Sequence, residues 1–250
     1  MKFSLSKTKI ISFISVIILI LIWDLASVLY KSELILPSPE LTLITIFKLF
    51  GSKNFLLIVG LTIFRGIIGF IISFILGVGF GIFAGTNNSF YAFLKPILVT
   101  LRSTPIISLI LLALIWFKVD YVPIFIAFLT MFPFICTNVI DGIRNVDHDL
   151  VEMAKTYNIS QFRIIKEVHL PAITPFIFSG ASSAMGIGWR AIIIGEVLSQ
   201  PKFGIGTFMQ MAQTYLLVNE VIAWTLIAIL ISSLFEMIIR RIERKIVVWK

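Results

Sequence analysis

The chain has 250 residues, 58% of them hydrophobic and only 14% charged, with a formal net charge of +8. A soluble domain averages roughly 45–50% apolar and about 25% charged residues, so this composition excludes an ordinary soluble enzyme or binding module. The Lys and Arg residues sit in short segments between apolar blocks and form no single basic face, so no nucleic-acid partner is expected despite the positive charge.

The elements follow from apolar blocks of about 20 residues, the length that crosses a bilayer as a helix. They run over residues 10–30, 56–84, 97–117, 121–140, 172–198 and 221–239, which predicts an all-α polytopic membrane protein with about six transmembrane helices. Lys2, Lys7 and Lys9 before the first block give it the look of a signal peptide, but no small-residue cleavage site follows and it is read as a retained helix. The breaks carry loop chemistry at Leu36-Pro37-Ser38-Pro39, Gly85-Thr86-Asn87-Asn88, Lys118-Val119-Asp120 and Gln200-Pro201-Lys202. No soluble domain fits between blocks, so residues 1–250 are read as one transmembrane domain, with a first helix and outer loop over 1–54 and a core over 55–250. The two halves show no internal repeat, which argues against a complete secondary transporter in one chain.

Three patterns lie within the blocks. Gly69, Ser73, Gly77, Gly81 and Gly85 repeat every fourth residue, as do Gly180, Ala184 and Gly188; such ladders let helix backbones approach closely, or alternatively line a pore. Thr100, Thr104 and Ser108 have the same spacing and on one helix would share a face, either lining a polar path or bonding their own backbone carbonyls. Among charges inside the blocks, Asp24, Arg65, Arg102 and Glu236 lie toward block ends and are expected to snorkel. Arg190 and Glu196 are candidates for the translocation path or for ion pairing, with each other or between helices.

Residues 141–171 are too polar to span. Asp147 or Asp149 caps a first short helix through Val151, Ala154 and Tyr157, and Ser160 caps a second that ends before Leu170-Pro171. Asn158 between them tolerates the left-handed turn such a hairpin needs. From the residues alone this is either a surface hairpin or a docking element. No G-x-x-x-x-G-K-[ST] phosphate loop occurs, so ATP hydrolysis is not expected on this chain. No cofactor or metal is expected either: His148 and His169 are the only histidines, and capping accounts for the aspartates beside His148. Cys136, the single cysteine, reads as a small buried hydrophobe.

Glu152-Met153-Ala154, Asn158 and Val168-His169-Leu170-Pro171 together resemble the cytoplasmic EAA loop of ABC importer permeases, whose pattern is Glu-Ala-Ala, then a Gly, then Ile-x-Leu-Pro. Met153 stands where that pattern has Ala and Asn158 where it has Gly; both changes keep the helix and its turn. The resemblance narrows to the nitrate, sulfonate, taurine and thiamine-precursor group. Further segments similar to that group are Leu36-Pro37-Ser38-Pro39, Trp116-Phe117, Pro133-Phe134, Gly142-Ile143-Arg144, Gly188-Trp189, Glu196 and the closing run to Trp249-Lys250. The group's proline-rich, Trp-containing entry to the third helix is matched only at Pro105.

The resemblance implies a permease subunit that forms the path for a small solute, such as a sulfonate, nitrate or thiamine precursor. It further implies a cytoplasmic ABC ATPase subunit, an extracytoplasmic substrate-binding protein and a second copy of the chain as partners. Glu152, Met153, Ala154, Asn158, Leu170 and Pro171 would then couple the pore to the ATPase. A channel or secondary-transporter subunit without an ATPase, and a membrane scaffold or embedded enzyme with no transport role, remain the alternatives from the residues alone.

Orientation follows from the positive residues near helix ends, which stay preferentially cytoplasmic. With both termini inside, 13 of the 21 Lys and Arg fall in cytoplasmic segments, among them Lys95, Arg144, Lys155, Arg163 and Lys166, against five on the far side. Cysteines introduced as Asn145→Cys and Ser38→Cys should therefore react with impermeant thiol reagents from opposite faces of the membrane. Reaction from the same face would overturn this topology.

Overall fold

The computed structural model describes residues 3–246. Lys2, Trp249 and Lys250, together with the side chains of Lys7, Lys9, His148 and Lys155, lie outside the described residues. Every regular element among the described residues is helical. In chain order these are α1 (Phe3–Tyr30), α2 (Pro39–Phe50), α3 (Phe55–Thr86), α4 (Asn88–Ser103), α5 (Ile106–Trp116), α6 (Val122–Arg144), α7 (His148–Thr156), α8 (Gln161–Ile164), α9 (Leu170–Ser199), α10 (Ile205–Thr214) and α11 (Val218–Ile246), with a π-helical turn over Ile165–His169. Five helices among the described residues are long and apolar enough to cross a membrane, or six if α4 and α5 count as one broken span.

That broken span corrects the expectation of one straight helix over residues 97–117. The axes of α4 and α5 meet at 99°, and the cause is Pro105. A residue before proline is pushed out of the helical region, and Thr104 sits at φ −70°, ψ 130°. Two of the expected loops also hold helices. α2 starts on Ser38, whose hydroxyl accepts a hydrogen bond from Leu41 N at 3.2 Å, with Pro39 at the first helical position; the motif read as a turn is a helix start. α10 follows the break at Gln200, where φ is 47° and the backbone is left-handed.

The chain divides into two compact units, residues 1–57 with 208–228, and residues 58–207 with 229–250. In the first, Trp23 Nε1 donates to Pro37 O at 3.0 Å, Asn219 donates to Thr45 Oγ1 at 3.1 Å, and Phe55 stacks on the buried Trp224. From Ile10 to Ile22, and again at Leu25, Val28 and Leu29, the large apolar side chains of α1 are exposed, as a lipid-facing helix requires.

The second unit is built around α6. Its buried residues Ala127, Met131, Ile135, Val139 and Ile143 form one continuous core with Ile173, Ile177, Ala184 and Ile192 of α9. The ladder on α3 lies against α6: a Cβ placed on Gly69, Gly77, Gly81 or Gly85 would stand 2.6, 2.9, 2.6 and 2.7 Å from the Cβ of Ala127, Ile135, Val139 and Ile143. Ser73 completes the series, with its hydroxyl 2.7 Å from Gly69 O and 3.2 Å from Phe128 O of α6. On α9, Gly180 abuts Asn138 and Gly188 abuts Met131, while Ala184 between them is fully buried. The helix thus has backbone-close neighbours on two sides.

Gly81→Leu should force α3 away from Val139 and lower stability in detergent by about 1–3 kcal/mol, the usual cost of overpacking. Ile75→Leu, at a side chain 64% exposed, should be neutral. Equal melting temperatures for the two variants would show that the ladder bears no packing load.

Candidate functional site

The polar loop and one buried charge cluster hold most of the residues singled out in the sequence. At the loop, Asp147 Oδ1 accepts from Asp149 N at 3.0 Å and starts α7. α7 ends on Asn158, whose φ is 54°. Ile159 N then reaches back to Ala154 O at 3.0 Å and Tyr157 N to Met153 O at 3.1 Å, closing the helix with a left-handed cap. Ser160 has the extended backbone of an N-cap, but its hydroxyl makes no cap bond.

The second helix does not stop before Leu170-Pro171. It continues through the π turn directly into α9, and Pro171 accounts for the turn: it has no N–H for the carbonyl one turn back, and its ring crowds that carbonyl, so the ladder widens. α8, the π turn and α9 are one unbroken helical stretch.

The loop has an inside and an outside. Ala154 is only 4% exposed, whereas Leu150, Met153, Tyr157 and Phe162 are exposed. An open groove of about 540 Å³ runs between α7 and the start of α9, lined by Leu150, Met153, Tyr157, Ile159, Val168 and Pro171 among others. Glu152 is on the exposed side of α7, and Leu170 and Pro171 lie exposed at the groove's far edge. Arg163 and Glu167 form an exposed pair at 2.9 Å one turn apart, a solvent-screened contact along the second helix.

The second cluster joins α3, the α5–α6 turn, α9 and the start of α10. Glu196 is 0% exposed; its carboxylate accepts from Arg65 Nη1 at 2.8 Å, from Gly206 N at 3.0 Å and from Thr62 Oγ1, which lies 2.9 Å from one oxygen and 3.0 Å from the other. Arg65, 4% exposed, also donates to Phe203 O at 2.7 Å and to Asp120 at 2.9 Å. Ile205 N donates to Thr62 Oγ1 at 2.9 Å. The first amides of α10 are therefore satisfied by side chains of other helices, with a carboxylate at the helix end where negative charge is favoured. Gly204 and Gly206 make the approach possible, since a Cβ on Gly204 would fall 2.6 Å from Glu196 Cδ.

This cluster corrects one expectation and decides between the alternatives left open for Glu196. Arg65 does not snorkel; it is buried and doubly paired. Glu196 does not pair with Arg190 or open onto a path; its partner is the interhelical Arg65, while Arg190 is exposed on another face of α9. Thr62 and Asp120 were not singled out as partners, although a buried carboxylate in a membrane helix calls for a cation and further donors. Arg102 is exposed and lies over the Phe134 ring at 5.1 Å, and Glu236 pairs with Arg240 at 2.7 Å.

The bend at Pro105 also removes the shared face expected for Thr100, Thr104 and Ser108. Thr104 Oγ1 bonds Thr100 O at 2.7 Å, and Ser108 lies beyond the break on α5.

The family model for the binding-protein-dependent transport system inner membrane component matches residues 77–248. The chain belongs to that family. It is similar to the aliphatic sulfonates transport permease protein SsuC of Bacillus subtilis (strain 168), with 30% identity over 236 residues covering 93% of this chain and 85% of that protein. It is also similar to the bicarbonate transport system permease protein CmpB of Synechococcus elongatus, with 32% identity over 155 residues, 62% of this chain and 56% of the other. In fold it is like a chain of the MetNI methionine ABC transporter in inward-facing conformations, at a TM-score of 0.68, 17% identity, 78% of this chain and 99% of that one. The protein is thus a multi-pass membrane permease subunit of an ABC importer, and the channel, secondary-transporter and scaffold readings fall away.

Glu196→Ala should strip Arg65 of its buried partner and cost about 3–5 kcal/mol, the usual penalty for breaking a buried pair from one side. The double change Arg65→Met, Glu196→Met should cost less than the two single losses added together. Thermal denaturation in detergent measures both; an unchanged midpoint for Glu196→Ala would show that the cluster does not hold the start of α10.

Proposed function

We propose that residues 1–250 act as one permease domain, with 55–250 as its core, and form with a second copy the membrane path of an importer for a small oxyanion. Both termini and residues 141–171 face the cytoplasm in this reading, in line with the distribution of Lys and Arg. ATP is hydrolysed on a separate ABC ATPase subunit, and an extracytoplasmic binding protein delivers the solute. The sulfonate and bicarbonate named for the relatives support an oxyanion.

The observation that carries the coupling role is α7 with its groove. A nine-residue helix, too short and too polar to span, turns Leu150 and Met153 outward, with Tyr157 in the turn that follows, beside an open apolar groove. Exposed apolar side chains clustered on a short capped helix suit a protein partner. Glu152, Met153, Asn158, Leu170 and Pro171 edge or close this surface, and Ala154 supports it from beneath. Beyond the turn at Asn158, α8, the π turn and α9 are continuous, so a displacement passed to α8 is carried along one helical stretch into the membrane.

Since Ala154 is covered by its own chain, a bulky residue there would distort α7 itself. The sharper test replaces exposed side chains: Leu150→Asp with Met153→Asp should leave insertion and thermal stability intact. It should weaken ATPase binding roughly ten- to hundredfold, or leave ATP hydrolysis without uptake of the solute carried by the binding protein. Unchanged binding and unchanged ATP-driven uptake would overturn the docking role.

A further inference from the structure

The face of α9 opposite α6 is polar. At about 100° per residue, Pro175, Ser179, Ser182, Ser183, Gly186 and Arg190 fall within one arc, turned away from Gly180, Ala184 and Gly188. Ser179, Ser183 and Arg190 are exposed, and a Cβ on Gly186 would meet nothing within 4 Å. From Pro175 to Arg190 the helix rises about 22 Å, most of the roughly 30 Å hydrocarbon layer.

Such a face does not suit lipid. The exposed positions of α3 and of the later part of α11 carry Ile71, Ile75, Leu230 and Leu234, side chains that hydrocarbon solvates well. A guanidinium in a membrane helix turns to a watery cavity or a partner. Thr130, Thr137 and Thr174 bond the carbonyl one turn back, at 2.8, 2.7 and 2.8 Å. Ser179, Ser182 and Ser183 make no such bond, and Arg190 has neither ion pair nor hydrogen bond among the described residues. At the end nearer the polar loop the three serines open into a cavity of about 230 Å³, walled across by Arg240 and Glu243 of α11.

We infer that this face of α9 is the track along which the solute crosses, and that Ser179, Ser182, Ser183 and Arg190 select an oxyanion. The inference rests on the permease reading and adds which surface lines the path and which charge it prefers. Hydroxyls and a guanidinium all donate hydrogen bonds, and no carboxylate lies on this face between Ser179 and Arg190. A row of weak donors holding one fixed cation attracts an anion and still releases it, because no single site binds tightly. At the mouth Arg240 is already held by Glu236 and Glu243 is itself engaged, which leaves Arg190 as the charge that discriminates.

The test uses the assembled transporter, with its ATPase and binding protein, in membrane vesicles. In a Cys136→Ser background, Ser179→Cys, Ser183→Cys and Ile75→Cys are treated with an anionic sulfonatoethyl methanethiosulfonate and with its cationic trimethylammonium counterpart, each rate scaled to that of a free small thiol. Ser179→Cys and Ser183→Cys should react and Ile75→Cys should not. The sulfonate reagent should be favoured roughly tenfold, and adding Arg190→Gln should abolish that preference. Serine positions that stay unreactive in an assembled, ATP-hydrolysing complex overturn the inference, as does a disulfide joining the Ser183→Cys positions of two copies without reagent access. A preference for the cationic reagent also overturns it. Failure of the coupling role alone would show in the Leu150→Asp, Met153→Asp transporter and leave these labelling rates unchanged, so the two readings fail separately.

Discussion

Hydrocarbon is as apolar as leucine, so burial of apolar area gives transmembrane helices little reason to associate, and how closely their backbones approach becomes the constraint on which this structure depends. α6 meets α3 at Gly69, Gly77, Gly81 and Gly85 and meets α9 at Gly180 and Gly188, and in each case a β-carbon would collide with its neighbour. The contacts left are many shallow dispersion contacts over several helical turns, individually weak and collectively large. Polar side chains inside the layer are likewise paired within their own helix: Thr137 Oγ1 donates to Pro133 O and Asn138 Nδ2 to Phe134 O.

The same solvent decides how charge is arranged. Glu196 and Arg65 are both closed off from the surroundings, and each is saturated: the carboxylate by Thr62, Arg65 and Gly206, the guanidinium by Glu196, Asp120 and Phe203 O. A buried pair gains little on balance unless its remaining donors and acceptors are filled. Here they are filled by the backbone of the segment that leads into α10, so the electrostatics also decide where that helix begins. Arg190, six residues before Glu196 on the same helix, has no such company, and a guanidinium left open on a membrane helix has a different purpose from one sealed within it.

The loop between α6 and α9 is built by other rules, those of short capped helices in water. Asp147 starts α7, Asn158 at positive φ ends it, and Pro171 widens the following helix into a π turn where it joins α9. Each device is local, which is why the resemblance to a known loop could be read from so few residues and why replacing Gly by Asn at position 158 kept the turn.

By itself the sequence determined what depends on local chemistry and on solvent. Apolar blocks of spanning length set the helix count to within the bent pair, and the loop residues set the capped hairpin that, with the family match over 77–248, marks an importer permease. Ser38-Pro39 within the expected loop is itself a helix-start signal, a capping Ser followed by Pro at the first helical position, so α2 too has a local cause. The tertiary structure decided what depends on distant residues meeting: that Glu196 takes Arg65 instead of Arg190, that Pro105 turns the chain through 99°, that Ala154 is covered, and that the serines of α9 share an open face with Arg190. Spacing along one helix tells which residues share a face, but which face is packed and which is open is set by neighbours dozens of residues away, and one sequence carries no local trace of them.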